Sequence, residues 1–225
     1  MAEKIQFDNL NLSDRIYFYL REEIINNQME PGSKINYDDI MEKLGVSRTP
    51  LRDALLKLQQ DGLVEVKARS GSFVAIPNRK NIEDIYNVRK VLESLAVELA
   101  SKQIPKKVIH SLVEEADRAE LALAKGKTAP FFQADRNLHR TIINYSDNKR
   151  ISVMMQSIEA QIQWFGVIIT KNHARPQQAN EMHRLILQAL AEEEVEAAKK
   201  LMEQHIEEIK QVTLSDYGNT VEHNK

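Results

Sequence analysis

Apolar residues recur at helical spacing from the start of the chain. Ile16, Leu20, Ile24 and Ile25 share one face of a helix expected from Ser13, as its N-cap, to Asn26. Met29 to Gly32 is a turn, since Pro-Gly punctuates helix and strand alike, and Lys34-Ile35 is a short edge strand. A second helix over Tyr37 to Leu44 turns Ile40, Met41 and Leu44 inward and stops at Gly45. Only Val46 separates that glycine from Ser47, the N-cap of a third helix. Pro50 lies in its first turn, where the missing N–H had no partner to lose. Leu51, Ala54, Leu55 and Leu58 form the buried stripe. Two short helices joined by such a glycine turn make a helix-turn-helix. After Gly62, Leu63–Val66 and Ser72–Ala75 read as strands, with Lys67 to Gly71 as the hairpin tip. Residues 1–76 are therefore expected to form a winged helix-turn-helix with a small β-hairpin wing.

A linker over residues 77–81 follows, with Asn81 as the next N-cap. From there the pattern is helical almost throughout. Helices are expected at 82–102, 106–125, 128–145, 148–171, 175–193 and 194–214, divided by Pro105, Gly126, the cluster at 146–148, Pro176 and a turn near 193–194. The fold class is mostly α, with a C-terminal bundle of about six helices over 82–216 and a flexible tail over 217–225. Met154, Ile158, Ile162, Phe165 and Ile169 make an apolar core stripe on the helix at 148–171. Ser157, Gln161 and Trp164 lie on an adjoining face. Gln161 is a candidate for the lining of an effector cavity, because such pockets are mostly apolar with few polar groups.

Composition changes this picture little. A chain of 225 residues, 42% hydrophobic and 28% charged, fits one large or two small soluble domains. With no cysteine, disulfides and thiolate metal sites are excluded. No apolar window is long enough to span a bilayer, and a cytoplasmic location is the expectation. The net charge of −2 gives no general attraction to nucleic acid. Between residues 46 and 72, however, Arg48, Arg52, Lys57, Lys67 and Arg69 outnumber Asp53, Asp61 and Glu65. The positive charge is focused on the helix-turn-helix and wing.

Arg48 and Arg52, four residues apart, leave the front of the third helix on an outward face. A recognition helix presents such residues to base edges in the major groove, and arginine is the commonest reader of guanine. Ser47 and Thr49 can contact phosphates, and Lys67, Arg69 and Gly71 of the wing can reach the backbone or minor groove. A winged helix used for protein contact would carry the same pattern. The motif GVSRTPLRDAL at 45–55, with Leu58 and DGLV at 61–64, resembles the signature of GntR-type bacterial transcription regulators. The resemblance implies that Arg48 and Arg52 read bases and that Gly71 sits at the groove. Some members carry an arginine early in the second helix, where this chain has Asp38.

Of six histidines, His110, His173 and His223 have the character of surface residues. Asp135 and His139 stand four apart on one helix. His183 and His205 lie equally far from the turn near 193–194, so an antiparallel hairpin would bring them level. One carboxylate and three imidazoles suit Zn²⁺, Ni²⁺, Mn²⁺ or Fe²⁺. Spacing alone leaves open that these are unrelated polar residues. The helical half is similar to the FCD ligand-binding domain of the FadR-like branch. That resemblance implies a divalent metal held by Asp135, His139, His183 and His205. It also implies an effector carboxylate gripped by Arg89 of the pair Arg89–Glu93, which is otherwise a surface ion pair. The combined expectation is a repressor acting as a homodimer on a pseudo-palindromic DNA operator and controlled by a small organic acid. A metal enzyme carrying a winged helix is the rival reading.

Overall fold

The computed structural model describes residues 11–168 and 175–222. Among these residues it contains nine helices and one two-stranded sheet. They divide into two compact units: Met1–Pro77 together with Ser157–Ile168, and Asn78–Gln156 together with Ile169–Lys225.

The first unit opens with α1 (Leu12–Ile25), α2 (Tyr37–Leu44) and α3 (Arg48–Gln60). Asn11 caps α1, its side chain accepting from the Asp14 N–H at 2.9 Å; the expected cap, Ser13, lies inside the helix. Asn36 caps α2 in the same way. That helix ends at Gly45, whose φ of 64° is the left-handed conformation that glycine adopts without a Cβ clash. Ile40, Met41 and Leu44 are only half-buried, so α2 sits lightly on the unit. The core is carried by α1 and α3, where Ile16, Leu20, Ile24, Leu51, Ala54, Leu55 and Leu58 are nearly inaccessible. Each large side chain so buried contributes about 1.5–3 kcal/mol.

The wing is the antiparallel pair β1 (Val64–Lys67) and β2 (Gly71–Val74), in register Val64↔Val74 to Lys67↔Gly71. Its tip takes positive φ at Arg69 (62°) and Gly71 (112°). The expected edge strand at Lys34-Ile35 reduces to one bridge, Lys34 to Phe73.

The second unit is helical. It comprises α4 (Arg79–Ala100), α5 (Lys106–Leu123), α6 (Ala129–Tyr145), the first part of α7 (Lys149–Ile168), α8 (Arg175–Ala191) and α9 (Val195–Glu222). Asn78 caps α4, so the helix begins inside the expected linker and Asn81 is already helical. The turn between α8 and α9 reverses at Glu193, with φ of 58°. Helix α9 continues to Glu222, through most of the stretch expected to be a loose tail. Within this unit α4 packs on α6 and α9, α5 on α6 and α8, and α8 on α9.

The expected stripe on α7 is displaced. Met154 is exposed and Ile158 and Ile162 are half-buried, while Ile151, Met155, Ala160, Gln161, Trp164 and Phe165 are buried. Ile169 and His173 lie outside the described residues, as does His223.

Candidate DNA interface and metal centre

The two candidate sites are built on different principles, one by exposure and the other by burial. At the front of α3, Ser47, Arg48, Thr49 and Arg52 are all exposed. Leu51, Ala54, Leu55 and Leu58 bury the opposite stripe and thereby fix which way the arginines face. The Arg48 guanidinium lies 5.6 Å from the centre of the Tyr37 ring, a cation–π contact from the neighbouring helix. Lys67, Arg69 and Gly71 are exposed on the wing, with Lys67 Nζ 5.0 Å from the Phe73 ring centre. Asp38 is exposed in the first turn of α2.

The centre of the second unit is polar. Helix α6 contributes Asp135 and His139, α8 His183 and α9 His205. One ligand atom from each lies within 4.8 Å of all the others. His183 Nε2 is 3.0 Å from His205 Nε2, which is 3.3 Å from His139 Nε2. Asp135 Oδ1 lies 3.4 Å from His183 Nε2 and 3.7 Å from His139 Nε2. The α8–α9 reversal at Glu193 brings the two late histidines level, and Phe131 stacks on the His183 ring at 6.0 Å. All three histidines are buried; the Asp135 side chain is 26% exposed and marks the side open to solvent.

A divalent ion fits this donor set. Bonds of about 2.0–2.1 Å at tetrahedral or octahedral angles separate neighbouring donors by about 2.9–3.4 Å. The contacts of 3.0, 3.3 and 3.4 Å fall in that range, and Asp135 Oδ1 stands slightly beyond it from His139 Nε2 at 3.7 Å. Three ring nitrogens converging on one point in a buried space have few ways to satisfy one another by hydrogen bonds alone. Burial, followed by the opposing pull of Asp135 and the push of His139, brings the His183 imidazole down to about 4. Burial and the neighbouring His183 and His139 rings push His205 well below its ordinary value. Both rings are thus neutral near pH 7, the state a metal requires.

Behind the cluster, α4 places Arg89 and Glu93 in the interior, 5% and 1% exposed. The alternative reading of these two residues as a surface ion pair is excluded by that burial. Arg89 Nε donates to Glu93 Oε1 at 2.6 Å, and Glu93 Oε2 meets His139 Nδ1. Burial would raise the Glu93 carboxyl, but Arg89 and His139 outweigh it and hold it at about 2. The Arg89 guanidinium also senses the Asp135 charge. Sequence reasoning placed Arg89 near an effector and missed the contact of Glu93 with His139, which joins residues 46 apart on different helices.

Gln161 is grouped with the first unit, where its Nε2 donates to the Asp61 carbonyl at 2.8 Å. His110 is exposed, its Nε2 3.4 Å from Glu114.

Residues 12–74 match the family model of bacterial regulatory proteins, gntR family, and residues 84–208 match the FCD domain. The chain is similar to the HTH-type transcriptional regulator YdhC of Bacillus subtilis strain 168, at 26% identity over 187 residues, 83% of this chain and 84% of the relative. It is also similar to the HTH-type transcriptional repressor RspR of Escherichia coli K12, at 22% identity, covering 88% and 87% of the two chains. Among solved structures, E. coli McbR/YncC shares the fold with a TM-score of 0.78 at 20% identity, over 92% of this chain and 99% of that one.

Proposed function

The chain belongs to the gntR family of bacterial regulatory proteins, with an FCD domain, and is a transcriptional regulator rather than an enzyme. On that premise we propose a repressor whose affinity for its operator is set by a small organic acid bound at a divalent metal in the helical unit. Residues 1–76 serve as its DNA-binding domain, Pro77 and Asn78 as the link to α4, and the helical unit that α4 opens as its metal, effector and dimerisation domain. Arg48 and Arg52 read base edges, Ser47 and Thr49 hold phosphates, and Lys67, Arg69 and Gly71 engage the neighbouring groove and backbone.

The observation that carries the sensing half is the convergence of Asp135 Oδ1 with the three imidazole nitrogens. These four residues would hold the metal, which supplies a Lewis acid to an incoming carboxylate. The charges favour that ligand. Arg89 and Glu93 cancel as a pair, and imidazoles that ligate a metal carry no charge. A dication beside Asp135 then leaves a positive balance that an anion completes. Arg89, whose guanidinium lies behind the cluster and senses the Asp135 charge, is the side chain suited by its planar donors to a carboxylate. Arg89 is the grip on that carboxylate that the family resemblance implies; Gln161, expected in the cavity lining, donates to the Asp61 carbonyl.

The working form is a homodimer on a pseudo-palindromic operator, because two arginines per chain on a body of net charge −2 need two half-sites for useful affinity. Val88, Val91 and Leu95, spaced as one face of α4 and 44%, 65% and 40% exposed in the single chain, supply an apolar stripe for the second copy. A protein that binds chromosomal DNA works in the cytoplasm.

The reading is tested by selecting an operator from random duplexes with the metal-loaded protein. Operator affinity is then measured with and without a panel of small carboxylates. An acid that shifts operator affinity must itself bind with an affinity shifted by the same factor when operator is present. If every acid in the panel leaves operator affinity unchanged, effector control fails.

A further inference from the structure

Glu93 is a buried acid with no place in the donor set, and its two oxygens face opposite ways in function. Oε1 accepts from the Arg89 guanidinium at 2.6 Å; Oε2 lies against His139 Nδ1. An ionised carboxylate only accepts hydrogen bonds, so the nitrogen it meets must donate. A neutral imidazole with its proton on Nδ1 has a bare Nε2. That nitrogen of His139 is the one placed 3.3 Å from His205 Nε2 and 3.7 Å from Asp135 Oδ1.

We propose that Glu93 is the positioning residue of the cluster: gripped by Arg89, it accepts a hydrogen bond from the His139 Nδ1–H and keeps the His139 Nε2 lone pair aimed at the cation. The inference deepens the metal reading and rests on it. Arg89 and Glu93 lie one helical turn apart on α4, so the grip is set within one element. His139 arrives from α6, which packs on α4. The arginine has two tasks. It offsets the cost of burying the carboxylate, and it fixes which oxygen is left for the histidine. A carboxylate behind a ligating histidine sets both the ring's tautomer and its orientation, and such partners govern metal affinity about 10–100-fold.

The variant Glu93→Gln separates this role from simple space-filling, because the amide keeps the shape and loses the symmetry. If its oxygen accepts from Arg89, its NH₂ faces Nδ1 and drives the ring proton to Nε2, into the cluster. If its oxygen faces Nδ1 instead, its NH₂ opposes the guanidinium. Either arrangement costs the site.

The test uses the full chain stripped of metal by a chelator, with zinc alone as the probe. Zinc affinity is measured by competition with a chromophoric chelator for wild type and Glu93→Gln. The His139 tautomer is read in the wild-type apoprotein from imidazole nitrogen chemical shifts, with His139→Gln assigning the signal. We expect zinc affinity about 10–100-fold weaker in Glu93→Gln and the Nδ1-protonated tautomer in wild type. Wild-type zinc binding with an undiminished affinity in the variant overturns the role of Glu93. So does an Nε2-protonated His139 in the apoprotein, a result that needs no variant to fold. Failure of the wild type itself to bind zinc removes the metal reading and this inference together.

Discussion

The Gln161 side chain donates a 2.8 Å hydrogen bond to the backbone carbonyl of Asp61, the residue that ends α3. Gly62 follows with φ of +69°, and a Cβ there would stand 2.3 Å from Gln161 Nε2. Absence of a side chain at position 62 is thus required twice, by the backbone and by the close approach. Gly62→Ala should destabilise the chain by about 1–3 kcal/mol, from left-handed strain together with disturbance of the hydrogen bond. In a Gln161→Ala background the cost should fall, since only the backbone part remains. Denaturant unfolding of the four members of this cycle measures it, and strict additivity would contradict the contact.

Asp61 also ties α3 to α1. The Tyr17 hydroxyl donates to Asp61 Oδ2 at 2.5 Å, and burial, reinforced by that bond and the carboxylate's charge, raises the phenol well above its ordinary 10.0. A group raised on folding adds its stability in full below its unfolded pKa and loses it as pH climbs toward the folded one. Tyr17→Phe should therefore cost about 0.5–1.5 kcal/mol at pH 7. The wild-type margin should shrink above pH 10, by less than about 1.4 kcal/mol per pH unit because the phenol is half-exposed. Unfolding of both proteins between pH 7 and 11 checks this. A margin that stays level to pH 11 would show that the phenol's environment is not as described.

Arg48 and Arg52 should behave differently from Lys67. Either arginine changed to alanine is expected to lose about 1–3 kcal/mol on the selected operator and to relax preference at its base pair. Lys67→Ala should weaken all sequences alike and reduce the salt slope by about one. Binding to operator and random duplexes over a salt series distinguishes them. Equal losses on both DNAs for the arginine variants would assign those residues to phosphate instead.

The apolar stripe of α4 predicts its own test. Val91→Asp places a charge at the most exposed of the three positions, 65% accessible in the single chain. Sedimentation should show the wild type as a dimer and the variant shifted toward monomer, with helical content retained. A variant that remains fully dimeric would place the interface elsewhere.

What the sequence made legible was local punctuation. Gly45 and Pro50 set the α2–α3 turn to the residue, because a positive φ and a missing N–H each allow few positions. The meeting of His183 and His205 followed from a single antiparallel reversal. Choices that depend on which face turns inward were less legible. Arg89 and Glu93 share a face by spacing, but spacing does not say whether that face meets solvent; packing against α6 and α9 decided it. Met154 fell on the exposed side of α7 for the same reason. The caps at Asn11 and Asn78 were misplaced by two or three residues because Ser13 and Asn81 offer equivalent side chains nearby.

The metal proposed for Asp135, His139, His183 and His205 is checked most directly by elemental analysis of the dialysed protein. About one divalent ion per chain is expected in the wild type, and none in His183→Ala of unchanged helical content. A wild type free of metal after exposure to zinc, nickel, manganese and iron, or a variant retaining the same complement, would contradict it.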